Sequence, residues 1–218
     1  MDTAAIVTVI DRIRIFAKDL EVPIVTELAR IHADPFEILI STILSLRTKE
    51  EVTAEATKRL FCLASTPEEM VLLPETAISE AIYPVGFYRT KARTIVSLSR
   101  ELIDRYGSIV PSDLDELLKL RGVGRKTANL VVSLGYGGDG LCVDTHVHRI
   151  SNRLGCVTTK RPDETEAVLR EKLPKKHWRE INTLFVTFGR IICRPLSPLC
   201  SSCPVADLCE RRTVTRSR

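Results

Sequence analysis

The chain has 218 residues, 44% of them hydrophobic and 28% charged, with a formal net charge of +4. This composition is typical of a globular protein with one large core or two small ones. No stretch approaches the roughly 20 apolar residues of a membrane span, and Met1-Asp2-Thr3 does not start a secretory signal, so we expect an intracellular, cytoplasmic protein. The mild basicity fits a nucleic-acid partner without deciding it.

Helical periodicity dominates the chain, because apolar residues recur at three- and four-residue spacing over most of its length. Capping signals predict helix starts at Asp34-Pro35, Thr66-Pro67 and Ser112. The pattern predicts further helices at about 50–61, 76–82, 90–106, 125–134, 144–154, 164–173 and 177–189. No convincing strand alternation occurs, so the sequence predicts an all-α protein of roughly ten short helices.

A short internal echo links two glycine loops. Val85-Gly86 leads into the basic turn Arg89-Thr90-Lys91, and Val123-Gly124 leads into Arg125-Lys126-Thr127. An apolar helical segment follows each turn. Two short matches with a gap carry little weight alone.

The segment Leu117–Leu134 reads LLKLRGVGRKTANLVVSL, which predicts two helices joined by the turn Gly122-Val123-Gly124. Such a turn exposes consecutive backbone N–H groups, which can bind a phosphate of a nucleic-acid backbone without reading its sequence. The alternative is that the glycines only join two antiparallel helices.

Two charged residues after this turn, Lys126 and Asp144, are candidate catalytic residues. Lys126 would lie in the first turn of the second helix, either as a solvated phosphate-binding cation or as an amine nucleophile, which must be partly neutral to attack. Asp144 begins another helical pattern, and capping that helix is compatible with a role in catalysis. His146 and His148 fall on different helix faces, so we expect no shared metal site.

Four of the seven cysteines lie near the C-terminus in the spacing Cys193-x6-Cys200-x2-Cys203-x5-Cys209. This spacing predicts one four-thiolate site. Zinc accepts the same ligands as an iron–sulfur cluster, but zinc sites usually pair two Cys-x2-Cys units and only one occurs here. The arginine-rich segment 211–218 lacks apolar anchors, so we expect it to fray.

The hairpin LRGVGRKTAN, the following VDTH and the cysteine spacing resemble the endonuclease III family of DNA glycosylases over nearly the whole chain. The resemblance implies an all-α fold of two helical lobes with a DNA groove between them. One lobe would be six-helical and span residues 28–138. The other would combine 1–27 with 139–211, carry a [4Fe–4S] loop at 193–209, and be followed by a basic tail, 212–218.

The resemblance also implies a bifunctional N-glycosylase and AP lyase that removes oxidised pyrimidines such as thymine glycol. Lys126 would attack the sugar C1′ of a flipped nucleotide, Asp144 would assist, and the Schiff base would permit β-elimination. Cys193, Cys200, Cys203 and Cys209 would hold a [4Fe–4S] cluster with a mainly structural role.

Two loop residues would contact the opened duplex in such an enzyme. Phe87 would fill the hole left by the flipped base, and Arg47 would probe the opposite strand, although the family's bacterial members often carry leucine and glutamine there. Core packing is the alternative for Phe87. The implied phosphate contacts are Arg121, which replaces a common proline, and Gly122, Val123, Gly124 and Arg125.

The implied partner is double-stranded DNA that contains a damaged base or an abasic site. The resemblance also implies a monomer that does not associate with a membrane. One alternative is a monofunctional mismatch glycosylase, disfavoured by Lys126 and by the lack of a recognition domain after Cys209. Another is a non-catalytic helix-hairpin-helix module, which explains the turn but not the lysine, the aspartate and the cysteines together.

Overall fold

The structure, a computed structural model, describes residues 1–32 and 34–218, and within these ranges it contains twelve α-helices and no β-strand. The helices are α1 (Thr3–Ala17), α2 (Ile24–Ile31), α3 (Pro35–Ser45), α4 (Glu50–Phe61), α5 (Pro67–Leu72), α6 (Glu75–Ile82), α7 (Tyr88–Tyr106), α8 (Leu114–Lys119), α9 (Arg125–Leu130), α10 (Thr145–Leu154), α11 (Pro162–Lys172) and α12 (Trp178–Ile191). The all-α prediction is confirmed. Helix α2 was not predicted, because its β-branched start, Ile-Val-Thr, is weakly helical by propensity.

Side-chain caps start several helices where the sequence placed them. Asp34 accepts a hydrogen bond from the Glu37 N–H at 2.9 Å, and Thr66 forms a capping box with Glu69. At α8 the prediction of Ser112 was wrong, since Asp113 accepts from the next helical N–H groups. Asp113 immediately precedes the first helical residue, which is the position an N-cap must occupy.

The described chain divides into two compact units, which we call the central unit (Ile24–Gly140) and the terminal unit (Met1–Pro23 with Leu141–Arg218). Helix α3 forms the middle of the central unit and packs against α4, α7 and α9. Its residues Ile38, Leu39, Ile40 and Leu44 have no exposed surface. Each buried aliphatic side chain contributes about 1.5–3 kcal/mol of transfer free energy, so α3 is a rigid support for the loop that follows it.

The terminal unit has its own apolar core around α12, which packs against α1 and α10. Phe185 and Phe188 are almost completely buried there. The Phe188 ring meets the Phe16 ring edge-on, with centroids 6.0 Å apart. Both chain ends therefore belong to one core.

The predicted helix 125–134 changes its winding halfway. After Leu130 a wider π-helical turn spans Val131–Gly135, and the Tyr136 N–H donates to the Val131 carbonyl at 3.2 Å. Gly135 ends this turn close against α3, because a Cβ there would lie 3.2 Å from the Pro35 Cα. Hydrophobic periodicity does not distinguish the two windings over five residues.

The C-terminal segment is tied down, so the expectation that 211–218 frays was wrong. The Arg218 N–H donates to the Pro198 carbonyl at 2.9 Å, and the Arg218 carbonyl accepts from the Ser201 N–H at 3.0 Å. Backbone pairing of this kind leaves no side-chain signal. Among the described residues, no helix combines the length and the apolar character that crossing a membrane requires.

Candidate active site

The glycine turn between α8 and α9 is anchored at its middle residue. The Val123 side chain is buried in the core of the central unit, and its N–H donates to the Leu120 carbonyl at 3.2 Å. Gly122 has φ +82°, and a Cβ there would lie 2.5 Å from the Thr94 methyl group. Gly124 is exposed, with open space around the position of a Cβ. The turn therefore presents its two glycines outward while Val123 anchors it.

Positive charge is concentrated at this turn. Arg121 and Arg125 are exposed on either side of it, and Lys126 follows as a partly exposed residue of the first turn of α9. The buried Asn129 side chain donates to the Arg125 carbonyl at 3.0 Å and so supports that first turn. The Arg121 N–H donates to Glu101 at 3.3 Å, which orients the entry to the turn.

A second lysine, Lys91 on α7, lies close enough to Lys126 for their charges to interact. Its side chain is buried, and its Nζ donates to the carbonyls of Leu44 (2.9 Å) and Leu46 (2.6 Å) and to the Thr48 hydroxyl (3.2 Å). Burial, and then the positive charge of Lys126, lower the pKa of Lys91 to about 8. Since Lys91 uses its donors inside the protein, its amine is not presented to a substrate.

The structure brings Arg47 and Phe87 together at the surface of the central unit. Phe87 is 63% exposed, which excludes the core-packing interpretation. The Arg47 guanidinium carbon lies 5.7 Å from the centre of the Phe87 ring, a cation–π arrangement. Both residues have left-handed backbone conformations, with φ of 52° and 59°. Such conformations are costly for residues with side chains and tend to occur at functional positions.

Asp144 lies in the terminal unit, where it caps α10. One carboxylate oxygen accepts from the N–H groups of His146 (2.8 Å) and Val147 (2.9 Å), and the other lies 3.1 Å from the His146 ring nitrogen Nδ1. The side chain is only 10% exposed. Sequence reasoning missed the His146 contact, although a histidine two residues after a capping aspartate is the local signal for it.

The four C-terminal cysteines line one cavity in the terminal unit. Its other walls are apolar, apart from two arginines, and contain no carboxylate or histidine. Burial raises the pKa of the Cys203 thiol to about 11 and also raises that of Cys209. Within residues 1–32 and 34–218, no three or more Cys, His, Asp or Glu side chains are grouped closely enough to hold a metal ion.

Arg153 of α10 organises the cysteine segment. It is 6% exposed and donates to the carbonyls of Arg194 and Pro195, both at 2.7 Å, and to the Cys193 sulfur at 3.5 Å. Its buried Nε has no hydrogen-bond partner among the described residues. The Arg211 N–H donates to the Cys209 sulfur at 3.4 Å. This cavity therefore combines four thiols with buried positive charge and N–H···S contacts.

Comparison with known proteins identifies the family. The family model described as HhH-GPD superfamily base excision DNA repair protein matches residues 40–175. Endonuclease III of Thermotoga maritima is 49% identical over 195 residues, which are 88% of this chain and 92% of that protein. The chain belongs to the endonuclease III family. Endonuclease III of Bacillus subtilis is 41% identical over 181 residues, 83% of each chain.

Solved structures agree with this assignment. An endonuclease III trapped as a covalent intermediate with DNA, in an estranged-adenine complex, is 38% identical and superposes with a TM-score of 0.86 over 97% of both chains. A thermostable thymine-DNA glycosylase is 26% identical, with a TM-score of 0.79 over 93% of this chain and 94% of that one. The family and its fold are thus confirmed, and the chain is a base excision DNA repair enzyme.

Proposed function

We propose that this endonuclease III family member is a bifunctional DNA glycosylase and AP lyase that removes oxidised pyrimidines such as thymine glycol, with Lys126 as its nucleophile. The observation that carries the proposal is the contrast between two neighbouring lysines. Lys126 is partly exposed directly after the outward-facing glycine turn, whereas Lys91 is buried with its Nζ donated to three oxygens. A nucleophile must reach the sugar, so the choice falls on Lys126.

The reaction makes one bond to the lysine and breaks four bonds of the nucleotide: the C1′–base bond, the C1′–O4′ ring bond, one C2′–H bond and the C3′–O3′ bond. The neutral Lys126 amine attacks C1′, and the bond from C1′ to the base breaks, so that the base leaves with the bonding electrons and takes up a proton. The sugar ring opens to a Schiff base between Lys126 and C1′. Loss of a C2′ proton then expels the 3′ phosphate, and water hydrolyses the imine and frees the enzyme.

Asp144 assists by electrostatics, because positive charge develops on the sugar when the base departs. Its two backbone N–H donors fix one carboxylate oxygen, and the contact with His146 orients the other. Capping therefore holds the carboxylate in a defined orientation, which is the pre-organisation that electrostatic catalysis needs.

We infer the DNA contacts from the residues that are exposed at the surface of the central unit. At the glycine turn, DNA phosphates would be bound by Arg121, Gly122, Gly124 and Arg125. Val123 contributes as the buried anchor of that turn. Extruding a damaged nucleotide costs a few kcal/mol, and side chains that fill the vacated space offset part of that cost. Phe87 and Arg47 are exposed side by side for this purpose. Because the proposed substrate is chromosomal DNA, we also propose a cytoplasmic, nucleoid-associated location. The protein would act as a monomer.

We propose that Cys193, Cys200, Cys203 and Cys209 hold a [4Fe–4S] cluster, since all four line one cavity, although in this structure their thiols are not grouped closely enough for a single metal ion. Four thiols in an apolar cavity, N–H···S contacts and a buried arginine with an unpartnered Nε suit a group of net negative charge. A bound cluster would supply metal–thiolate bonds that keep the 193–209 segment folded. Iron and sulfide analysis of the purified protein, with absorbance near ~400 nm, distinguishes a cluster from zinc.

Borohydride trapping on a thymine-glycol duplex tests the proposal. Wild type should give a covalent protein–DNA adduct, and Lys126→Gln should give none, because an amide cannot form the Schiff base. Lys119→Gln is the matched control, since Lys119 is an exposed lysine of the preceding helix, paired with Glu116. It should trap as wild type does.

Two other outcomes would replace the proposal. Release of the base without an adduct in wild type indicates a monofunctional glycosylase. Binding of the duplex without base release or adduct indicates a non-catalytic helix-hairpin-helix module.

A further inference from the structure

We infer that Lys91 is a positioning residue that joins the Arg47 loop and the Phe87 loop into one unit, so that both side chains enter the DNA together. The inference rests on the proposed function, because it assigns Arg47 and Phe87 to the opened duplex. It adds a residue that contacts neither DNA nor the reacting atoms.

The Lys91 ammonium binds the backbone that leads into the Arg47 loop. It bonds the carbonyls of Leu44 and Leu46, at the C-terminal end of α3. The last carbonyls of a helix lack partners within the helix, and a buried cation satisfies them well. Arg47 is therefore held between the Leu46 carbonyl and the Thr48 hydroxyl, both of which Lys91 contacts.

Thr48 carries the connection to the second loop. Its hydroxyl oxygen accepts from the Lys91 Nζ at 3.2 Å and from the Gly86 N–H at 3.1 Å. Gly86 is packed so tightly that a Cβ there would lie 2.5 Å from the Arg47 carbonyl oxygen. The residue after Gly86 is Phe87, whose ring meets the Arg47 guanidinium. One ammonium and one hydroxyl thus link the backbones that present both side chains.

The strained backbones explain why the link matters. Arg47 and Phe87 both adopt left-handed conformations, each of which costs about 1–3 kcal/mol and persists only where the surroundings hold it. Burial lowers the pKa of Lys91, so keeping an ammonium at this position opposes folding. A buried charge that costs stability but fixes two strained loops is consistent with pre-organisation for binding.

Fluorescence of 2-aminopurine placed opposite thymine glycol tests this role, because the probe brightens when it loses its stacking partners. Lys91→Met keeps the length of the side chain and removes the ammonium. We expect it to lose most of the fluorescence increase that wild type shows on binding. Single-turnover base release should fall by at least about tenfold, because Arg47 and Phe87 would no longer be held in position to keep the nucleotide extruded. The Kd for the duplex should change less than about threefold, because phosphate contacts dominate affinity.

Matched variants separate positioning from general damage. Lys58→Met removes an exposed lysine of α4 that pairs with Glu55, and it should behave as wild type. Thr48→Val removes the bridging hydroxyl while Lys91 keeps its bonds to the Leu44 and Leu46 carbonyls, and it should reproduce the fluorescence loss. Thr48→Ser keeps the hydroxyl and should restore the signal. This pair tests the link even where Lys91→Met fails to fold.

The inference is overturned if folded Lys91→Met, or Thr48→Val, keeps the wild-type fluorescence increase, whether or not the rate falls. Failure of the proposed function has a different signature, namely a wild-type protein that forms no borohydride adduct. The fluorescence measurement needs no chemical step, so it tests Lys91 in either case.

Discussion

Replacing the two glycines of the hairpin turn by alanine should lower stability at one position and leave it almost unchanged at the other. Gly122→Ala places a side chain on a backbone with φ +82° and puts its Cβ 2.5 Å from the Thr94 methyl group. The left-handed conformation costs about 1–2 kcal/mol for an L-residue, and overpacking adds about 1–3 kcal/mol. Gly124→Ala has φ −100° and meets nothing within 4 Å, so it should leave the free energy of unfolding within about 0.5 kcal/mol of wild type.

The sum for Gly122→Ala is about 2–5 kcal/mol, which lowers Tm by about 4–20 °C in a protein of this size. Thermal and urea unfolding measure both variants. Thr94→Ser removes the clashing methyl but keeps the hydroxyl that donates to the Thr90 carbonyl at 3.0 Å. In the Thr94→Ser background, the destabilisation by Gly122→Ala should therefore lack its steric part and keep its conformational part. Equal destabilisation by Gly122→Ala and Gly124→Ala, or no rescue by Thr94→Ser, refutes the reasoning.

Three further predictions concern charged groups. Asp144→Ala should lower stability by about 0.5–2 kcal/mol through the lost cap, while Asp144→Asn keeps the cap and melts normally but loses base release; an active Asp144→Asn would remove the catalytic role. The pKa of Lys91 falls from 10.5 unfolded to about 8 folded, so the unfolded state binds the extra proton between these values. The free energy of unfolding of wild type relative to Lys91→Met should rise from pH 8 to 10.5, by at most about 3 kcal/mol in denaturant titrations, and a flat difference would contradict the burial of a charge. Arg153→Met removes two hydrogen bonds to carbonyls of the cysteine segment. It should speed both the proteolysis of this segment and the loss of absorbance near ~400 nm, unlike the exposed control Arg179→Met. Equal rates for the two variants would exclude Arg153 as the organiser of the cysteine segment.

Local features were predictable from the sequence because they depend on residues a few positions apart. Hydrophobic periodicity identified most helices, and capping residues such as Asp34 and Thr66 marked their starts. The hairpin with Lys126, the Asp144 cap and the cysteine spacing are also local patterns. They sufficed to suggest the family that the comparisons confirm.

Local patterns failed where the decisive contact joins distant segments. The sequence left Phe87 open between a wedge and a core residue, and only its exposure beside Arg47 excluded the core residue. The C-terminal residues looked frayed because backbone pairing between Arg218 and Pro198 has no side-chain pattern.

Lys91 shows the limit most clearly. In the sequence it is one more cation in a basic turn, whereas in the structure it is buried beneath a loop more than 40 residues earlier in the chain. Its hydrogen bonds and its lowered pKa exist only because α3 and α7 pack together. The sequence alone determined which chemical groups are available, and tertiary packing decided which lysine is accessible and which one is a support, because accessibility and desolvation depend on residues from the whole unit.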